Sequence, residues 1–189
     1  MKMRSKGFPI RKHMVLFFSL FLLFGLMVSH SYGNEEKKIR YGFSVLGGPE
    51  ADSRADILLF AFLPRVDLLL HRNWELEFEG NLSYYGISES KNLYLLGVNT
   101  NILYKLIQWK KGSFFVLGGG GLAYDNSNGH VKRVGFSHFA GVLQGGGGVY
   151  IDIGKGLLLR AEYRFQHISE PFINDVGLNT HNLALGVSF

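Results

Sequence analysis

Residues Leu158 to Phe189 read LLRAEYRFQHISEPFINDVGLNTHNLALGVSF, and the first half of this stretch alternates with a period of two. Leu157, Leu159, Ala161, Tyr163 and Phe165 share one face, and Arg160, Glu162, Arg164 and Gln166 share the other. Successive side chains on a strand point to opposite sides, so this pattern predicts a strand with one apolar and one polar face. The apolar face ends in two reactive side chains, His167 and Ser169. The last segment repeats the alternation, with Leu183, Leu185, Val187 and Phe189 set against Asn182, Ala184, Gly186 and Ser188.

Working outward, further period-two runs rich in aromatics are bounded by Gly, Asn, Asp and Ser. They predict strands over 39–47, 56–70, 74–86, 93–107, 112–124, 136–152, 156–169 and 178–189. The clearest sets Trp74, Leu76, Phe78, Leu82 and Tyr84 against Glu75, Glu77, Glu79, Asn81 and Ser83. The second run is apolar on both faces and contains Pro64, which suits a bulge or a strand end. Connections alternate in length. Those near 71–73, 108–111 and 153–155 are short, whereas 48–55, 87–92, 125–135 and 170–177 are longer and polar.

The N-terminus has a different character. Lys2, Arg4, Lys6, Arg11 and Lys12 precede an apolar run from Met14 to Val28, and Ser31 and Gly33 stand at the −3 and −1 positions of a cleavage site before Asn34. This is the pattern of a secretory signal over 1–33, and the run is short for a spanning helix, which needs about 20 apolar residues. The chain carries 20 Lys+Arg and 15 Asp+Glu, and five basic and no acidic residues lie in 1–33. Fifteen of each sign therefore remain after cleavage. The basic balance belongs to the export signal, and nothing points to nucleic acid. The chain has no cysteine and so no disulfide framework to read. Residues 34–189 are one domain by length.

Export, an even strand count and alternating short and long connections predict an all-β fold, an eight-stranded antiparallel outer-membrane barrel, over a soluble β domain. The apolar faces then meet lipid and the polar faces fill the interior, which in an eight-stranded barrel is just wide enough for side chains. Glu75, Glu77 and Glu79 would share that interior with Arg160 and Arg164, as charges removed from water must be paired. The runs Gly118–Gly121 and Gly145–Gly148 lack the Lys-Ser or Lys-Thr and the helix of a phosphate loop. They read as room for close strand contact. A terminal Phe189 on a period-two strand resembles the signal read by the outer-membrane assembly machinery.

His167 and Ser169 lie on one face with Cα atoms about 7 Å apart. Their side chains are expected within hydrogen-bonding reach, so that His167 can take the Ser169 proton. Parity puts both on the lipid-facing wall near the long-loop end. A polar pair there is costly against hydrocarbon and is explained either by headgroup-level depth or by a lipid substrate.

The stretch Arg164-Phe165-Gln166-His167-Ile168-Ser169, followed by Asn174-Asp175-Val176-Gly177-Leu178-Asn179, resembles the outer-membrane lipid A 3-O-deacylases and their acyloxyacyl hydrolase-like relatives. The specific resemblance covers roughly residues 160–189. It implies an eight-stranded barrel with a serine esterase site on its outer wall, acting on the 3-position acyl ester of lipid A. Carried over, Ser169 is the nucleophile, His167 the general base, and Asn179 stands where members with an acidic third residue carry it. His181 ranks below Asn179 as the neighbour of His167. The family supplies oxyanion donors just after the serine, where this chain has Glu170-Pro171-Phe172. An ionised Glu only accepts, and Pro has no N–H.

The remaining histidines, His71, His130 and His138, form no metal-ligand spacing, so no metal and no cofactor are expected. Lys132-Arg133 reads as a solvated loop pair ahead of a lipid A phosphate contact. The expected partners are lipid A in the outer leaflet and the assembly machinery, and a homodimer is one way to shield a lipid-facing site. The competing function is a non-catalytic structural or adhesion barrel. An acyltransferase barrel and a soluble exported β binder complete the set.

Overall fold

The computed structural model describes residues 38–51, 57–88, 92–125, 139–169 and 177–189. The expected signal segment 1–33 lies outside the described residues, as do His130, Lys132, Arg133, His138 and Glu170 to Val176.

Eight strands follow in chain order: β1 Ile39–Pro49, β2 Ile57–His71, β3 Trp74–Ile87, β4 Leu93–Trp109, β5 Gly112–Asp125, β6 Phe139–Gly154, β7 Leu157–Ser169 and β8 Leu178–Ser188. Each pairs antiparallel with the next, and β1 pairs with β8, closing an up-and-down barrel. Closure leaves no unpaired sheet edge, the condition for strands to cross a bilayer. Outward positions are apolar and exposed along every strand, among them Phe60, Phe78, Val98, Val116, Leu143 and Leu183. The turn between β6 and β7 holds three successive residues at positive φ, Gly154, Lys155 and Gly156, a geometry that favours glycine.

The interior is layered. Towards the short-turn end, Arg160 pairs with Glu77 and Glu162, and Arg164 Nη1 donates to both oxygens of Glu79 at 2.7 and 2.9 Å. Glu162 joins the two arginines, accepting from Arg164 Nη2 at 2.6 Å. Asn101 donates to Glu77 at 2.8 Å and Gln144 to Asn101 at 2.7 Å. The expected pairing of the β3 glutamates with the β7 arginines holds for Glu77 and Glu79, whereas Glu75 pairs with Arg40 and Lys105 instead.

The long-loop half departs from expectation. Its interior holds an apolar cluster, including Leu46, Leu59, Leu63, Tyr85, Leu93 and Ile168, set among buried polar side chains such as Ser83, Asp125 and Thr180. This explains why β2 is apolar on both faces: its outward residues meet lipid, while inward Ile57, Leu59, Ala61 and Leu63 join that core. Pro64 is neither at a bulge nor at a strand end. It sits mid-strand opposite Phe43, and the register with β3 is unchanged across it. The ladder skips Leu63 and Pro64 because proline offers no donor. Gly80 of β3 leaves room for the ring, since a Cβ there would come within 3.0 Å of Pro64 Cγ. The register shifts fall instead at Leu69/His71, Lys105/Ile107 and Asp152/Gly154, all at the short-turn end.

Both glycine runs serve close contact. β5 and β6 pair them directly, with Gly118 opposite Gly145. A Cβ at inward Gly119 would collide with Asn101, and one at Gly146 would lie 3.0 Å from Arg164 Cα.

Candidate active site on the outer wall

Parity along β7 and β8 decides where the candidate residues point. Arg160, Glu162, Arg164 and Gln166 are buried inside, while Tyr163 and Phe165 are exposed at 46% and 38%. His167 and Ser169 continue the outward series, and so does Asn179 on β8. The register places His167 directly opposite Asn179.

That register brings two of the candidate residues into contact. His167 Nδ1 lies 2.7 Å from Asn179 Oδ1. An amide oxygen only accepts, so Nδ1 carries the proton and donates, which leaves Nε2 as the basic nitrogen. His167 and Ser169 are not hydrogen-bonded to each other, contrary to the sequence expectation. Two positions along one strand separate their Cα atoms by about 7 Å, and the imidazole reaches across to β8. Catalytic hydrogen bonds are often long without substrate and tighten in the complex.

Gly177 controls where the ring lies. A Cβ there would collide with His167 Cε1 and stand 3.0 Å from Nε2 and 3.2 Å from Nδ1. The imidazole thus lies over bare backbone at the start of β8. On the other flank, Ser169 pairs with Gly141 of β6, where a Cβ would meet only the Ser169 carbonyl oxygen, at 3.6 Å. Ser169 therefore stands beside a glycine on β6. Sequence reasoning did not assign these roles. The available signal was the Val176-Gly177-Leu178 step at a strand start, which without a register names no neighbour.

His181 does not neighbour His167. It pairs across the barrel wall with Phe165, stacks on Tyr163 at 5.9 Å and shares a hydrogen bond with the Tyr163 hydroxyl. The site lies near an aromatic rim. Tyr124 and Phe139 pack edge to face at 5.5 Å, and Phe139 is two residues outward of Gly141 on the same strand. Aromatic girdles mark the membrane interface in such barrels, so His167 and Ser169 stand near headgroup depth. Among the described residues, no group of three His, Asp or Glu side chains could hold a metal ion.

The family model for the outer membrane protein beta-barrel domain matches residues 20–189. No curated protein matches the chain. Among solved structures, the outer membrane enzyme PagL aligns with a TM-score of 0.62 at 13% identity, covering 77% of this chain and 97% of its own. Neisserial surface protein A aligns at a TM-score of 0.49 and 12% identity, over 79% and 94% of the two chains. Ail, the attachment invasion locus protein of Yersinia pestis, aligns at a TM-score of 0.43 and 16% identity, over 80% and 96% of the two chains. The chain belongs to the outer membrane protein beta-barrel domain family.

Proposed function

We propose that this barrel is an outer-membrane ester hydrolase that removes the 3-position acyl chain of lipid A. The observation that carries the proposal is the His167–Asn179 hydrogen bond on the lipid-facing wall, two residues from an outward serine. It orients a neutral imidazole with its basic nitrogen free of Asn179. The sequence resemblance of residues 160–189 to the lipid A 3-O-deacylases supplies the substrate class. PagL is an outer-membrane enzyme of similar fold, and at 13% identity that likeness speaks for the barrel alone.

The chemistry follows from these groups. His167 Nε2 takes the proton as Ser169 Oγ attacks the ester carbonyl of an acyl chain lying against the wall. The tetrahedral intermediate collapses by breaking the bond between the acyl carbon and the sugar oxygen, leaving the acyl chain on Ser169, and His167 gives the proton to the departing sugar oxygen. Water, deprotonated by the same nitrogen, then attacks the acyl-serine and releases the fatty acid. Asn179 holds the tautomer as in Cys-His-Asn sites, but as a neutral group it stabilises the imidazolium less than a carboxylate does. The substrate reaches the site by lateral diffusion in the outer leaflet, so the wall needs no enclosed pocket.

One sequence feature favours a second function, a structural or adhesion barrel without catalysis. Glu170-Pro171-Phe172 lacks the donors expected after the serine, and losing one such donor typically costs about 10²–10³ in rate. Mass spectrometry of lipid A separates the two. Cells producing the native protein should lose one hydroxyacyl chain from lipid A, and cells producing equal outer-membrane amounts of Ser169→Ala should not. Unchanged lipid A in both would support the structural barrel, and a gain in mass would instead indicate acyl transfer.

A further inference from the structure

At the other end of the barrel, two register shifts face each other across β3. One lies at Leu69/His71 near the end of β2, the other at Lys105/Ile107 near the end of β4. Such irregularities turn strand ends and re-aim side chains. Between them opens a groove lined by His71, Arg72, Trp74, Tyr104, Leu106 and Gln108. Its framework is tied down. Lys105 N donates to Asn73 O at 2.8 Å, and Gln108 Nε2 donates to Asn73 Oδ1 at 2.8 Å.

The groove has one apolar wall and one cationic lip. Trp74 and Tyr104 pack with centroids 4.7 Å apart, and exposed Leu106, Ile102 and Phe78 continue down the lipid-facing surface. On the water side stand His71 and Arg72, with Lys110 and Lys111 on the neighbouring turn. Residues 70–74 and 104–112 contain no acidic residue. Glu75, on the inner face at this rim, is fully buried and already paired with Arg40 and with Lys105, the latter at 2.5 Å. Exposed Asp152 stands beside the second turn, its N–H donating to Lys111 O at 2.8 Å, and it is outnumbered there by Arg72, Lys110 and Lys111. This rim is therefore a local excess of positive charge on a chain whose exported part is charge-balanced.

Short turns of outer-membrane barrels face the periplasm. We propose that this groove binds an anionic glycerophospholipid of the inner leaflet. Its phosphate is held by Arg72 and the Lys110–Lys111 turn, and its acyl chains lie along Trp74, Leu106 and Ile102. Basic pockets beside membrane-spanning segments recognise such headgroups, and each cation contributes about fivefold in affinity. The aromatic wall makes the ligand a lipid and not a free anion, because it offers the chains a surface that begins where the headgroup ends.

Both tryptophans of the chain, Trp74 and Trp109, lie at this rim, so intrinsic fluorescence reads the groove directly. Signal-free barrel carrying Trp109→Phe, leaving Trp74 as sole reporter, is reconstituted in phosphatidylcholine bilayers. Brominated-chain phosphatidylglycerol is added in one arm and brominated-chain phosphatidylcholine in the other. Phosphatidylglycerol should quench Trp74 at a mole fraction at least about fivefold lower. Arg72→Gln combined with Lys110→Gln, exposed turn positions, should abolish that preference while the barrel still resists unfolding. Equal quenching by the two lipids, or a preference that survives the double substitution, would overturn the proposal. So would glycerol phosphate erasing the preference when present at the lipid's own concentration, which would mark a free-anion site. Ser169→Ala should leave the quenching unchanged, so this outcome and that for lipid A hydrolysis are independent.

Discussion

Strand β7 carries two polar sets on opposite faces, and they are treated differently. Inside, Arg160, Glu162 and Arg164 are buried, and each is held by at least one charged partner. Outside, His167 is held at Nδ1 by Asn179, and Ser169 stands two residues away with no hydrogen bond to the histidine. The inner set is what a narrow barrel requires, because an unpaired ion removed from water is strongly destabilising. The outer set is not required for folding, since apolar side chains suit a lipid-facing wall better. Polar groups on an outer wall that folding does not require are the ones to suspect of chemistry.

The contrast is broken most sharply at its outer end. On the proposed function, Ser169→Ala should lower lipid A deacylation by at least about 10³-fold. Its stability against urea in vesicles should change by no more than about 0.5 kcal/mol. The inner set predicts the reverse. Glu162→Gln takes one carboxylate from both Arg160 and Arg164, so unfolding should become easier by about 3–5 kcal/mol. The activity of each folded molecule should stay close to native. Substantial loss of folded-state activity in that variant would erase the division between the two faces.

Smaller effects sharpen the outer half of the contrast. Gly177→Ala pushes a methyl into the His167 ring and should reduce kcat by roughly 10–100-fold through misplacement of the base. A purely structural role for Gly177 would instead lower stability and leave kcat per folded molecule intact. On the proposed mechanism, Asn179→Asp supplies a charge to the imidazolium that forms during attack. It should raise kcat by about tenfold, measured on lipid A micelles. A decrease would mean that the neutral amide is the better partner in this setting.

Much of this was legible in the sequence, for an identifiable reason. A strand has a side-chain period of two, so parity alone separated Arg160 and Arg164 from His167, Ser169 and Asn179. Loop lengths alternating along the chain marked the two ends of the barrel. The pairing of Glu77 and Glu79 with the β7 arginines followed from charge balance in an interior too narrow for water-filled space, whereas the partners of Glu75, Arg40 and Lys105, did not. Local pattern was misleading where a strand is apolar on both faces. β2 looked irregular around Pro64, yet it is a continuous strand whose inner face joins an apolar core contributed by seven other strands.

What the sequence by itself determined, then, is the periodic part: eight strands, two faces, and which residues share each face. What only the tertiary structure decided is lateral. Register chose Asn179 over His181 as the partner of His167, set Gly141 beside Ser169, laid the imidazole over Gly177, and brought the turns after β2 and β4 together at one rim. The physical reason is that periodicity is a property of one strand, written in consecutive residues. Register is a property of pairs, and a shift of two residues preserves every face while changing every neighbour.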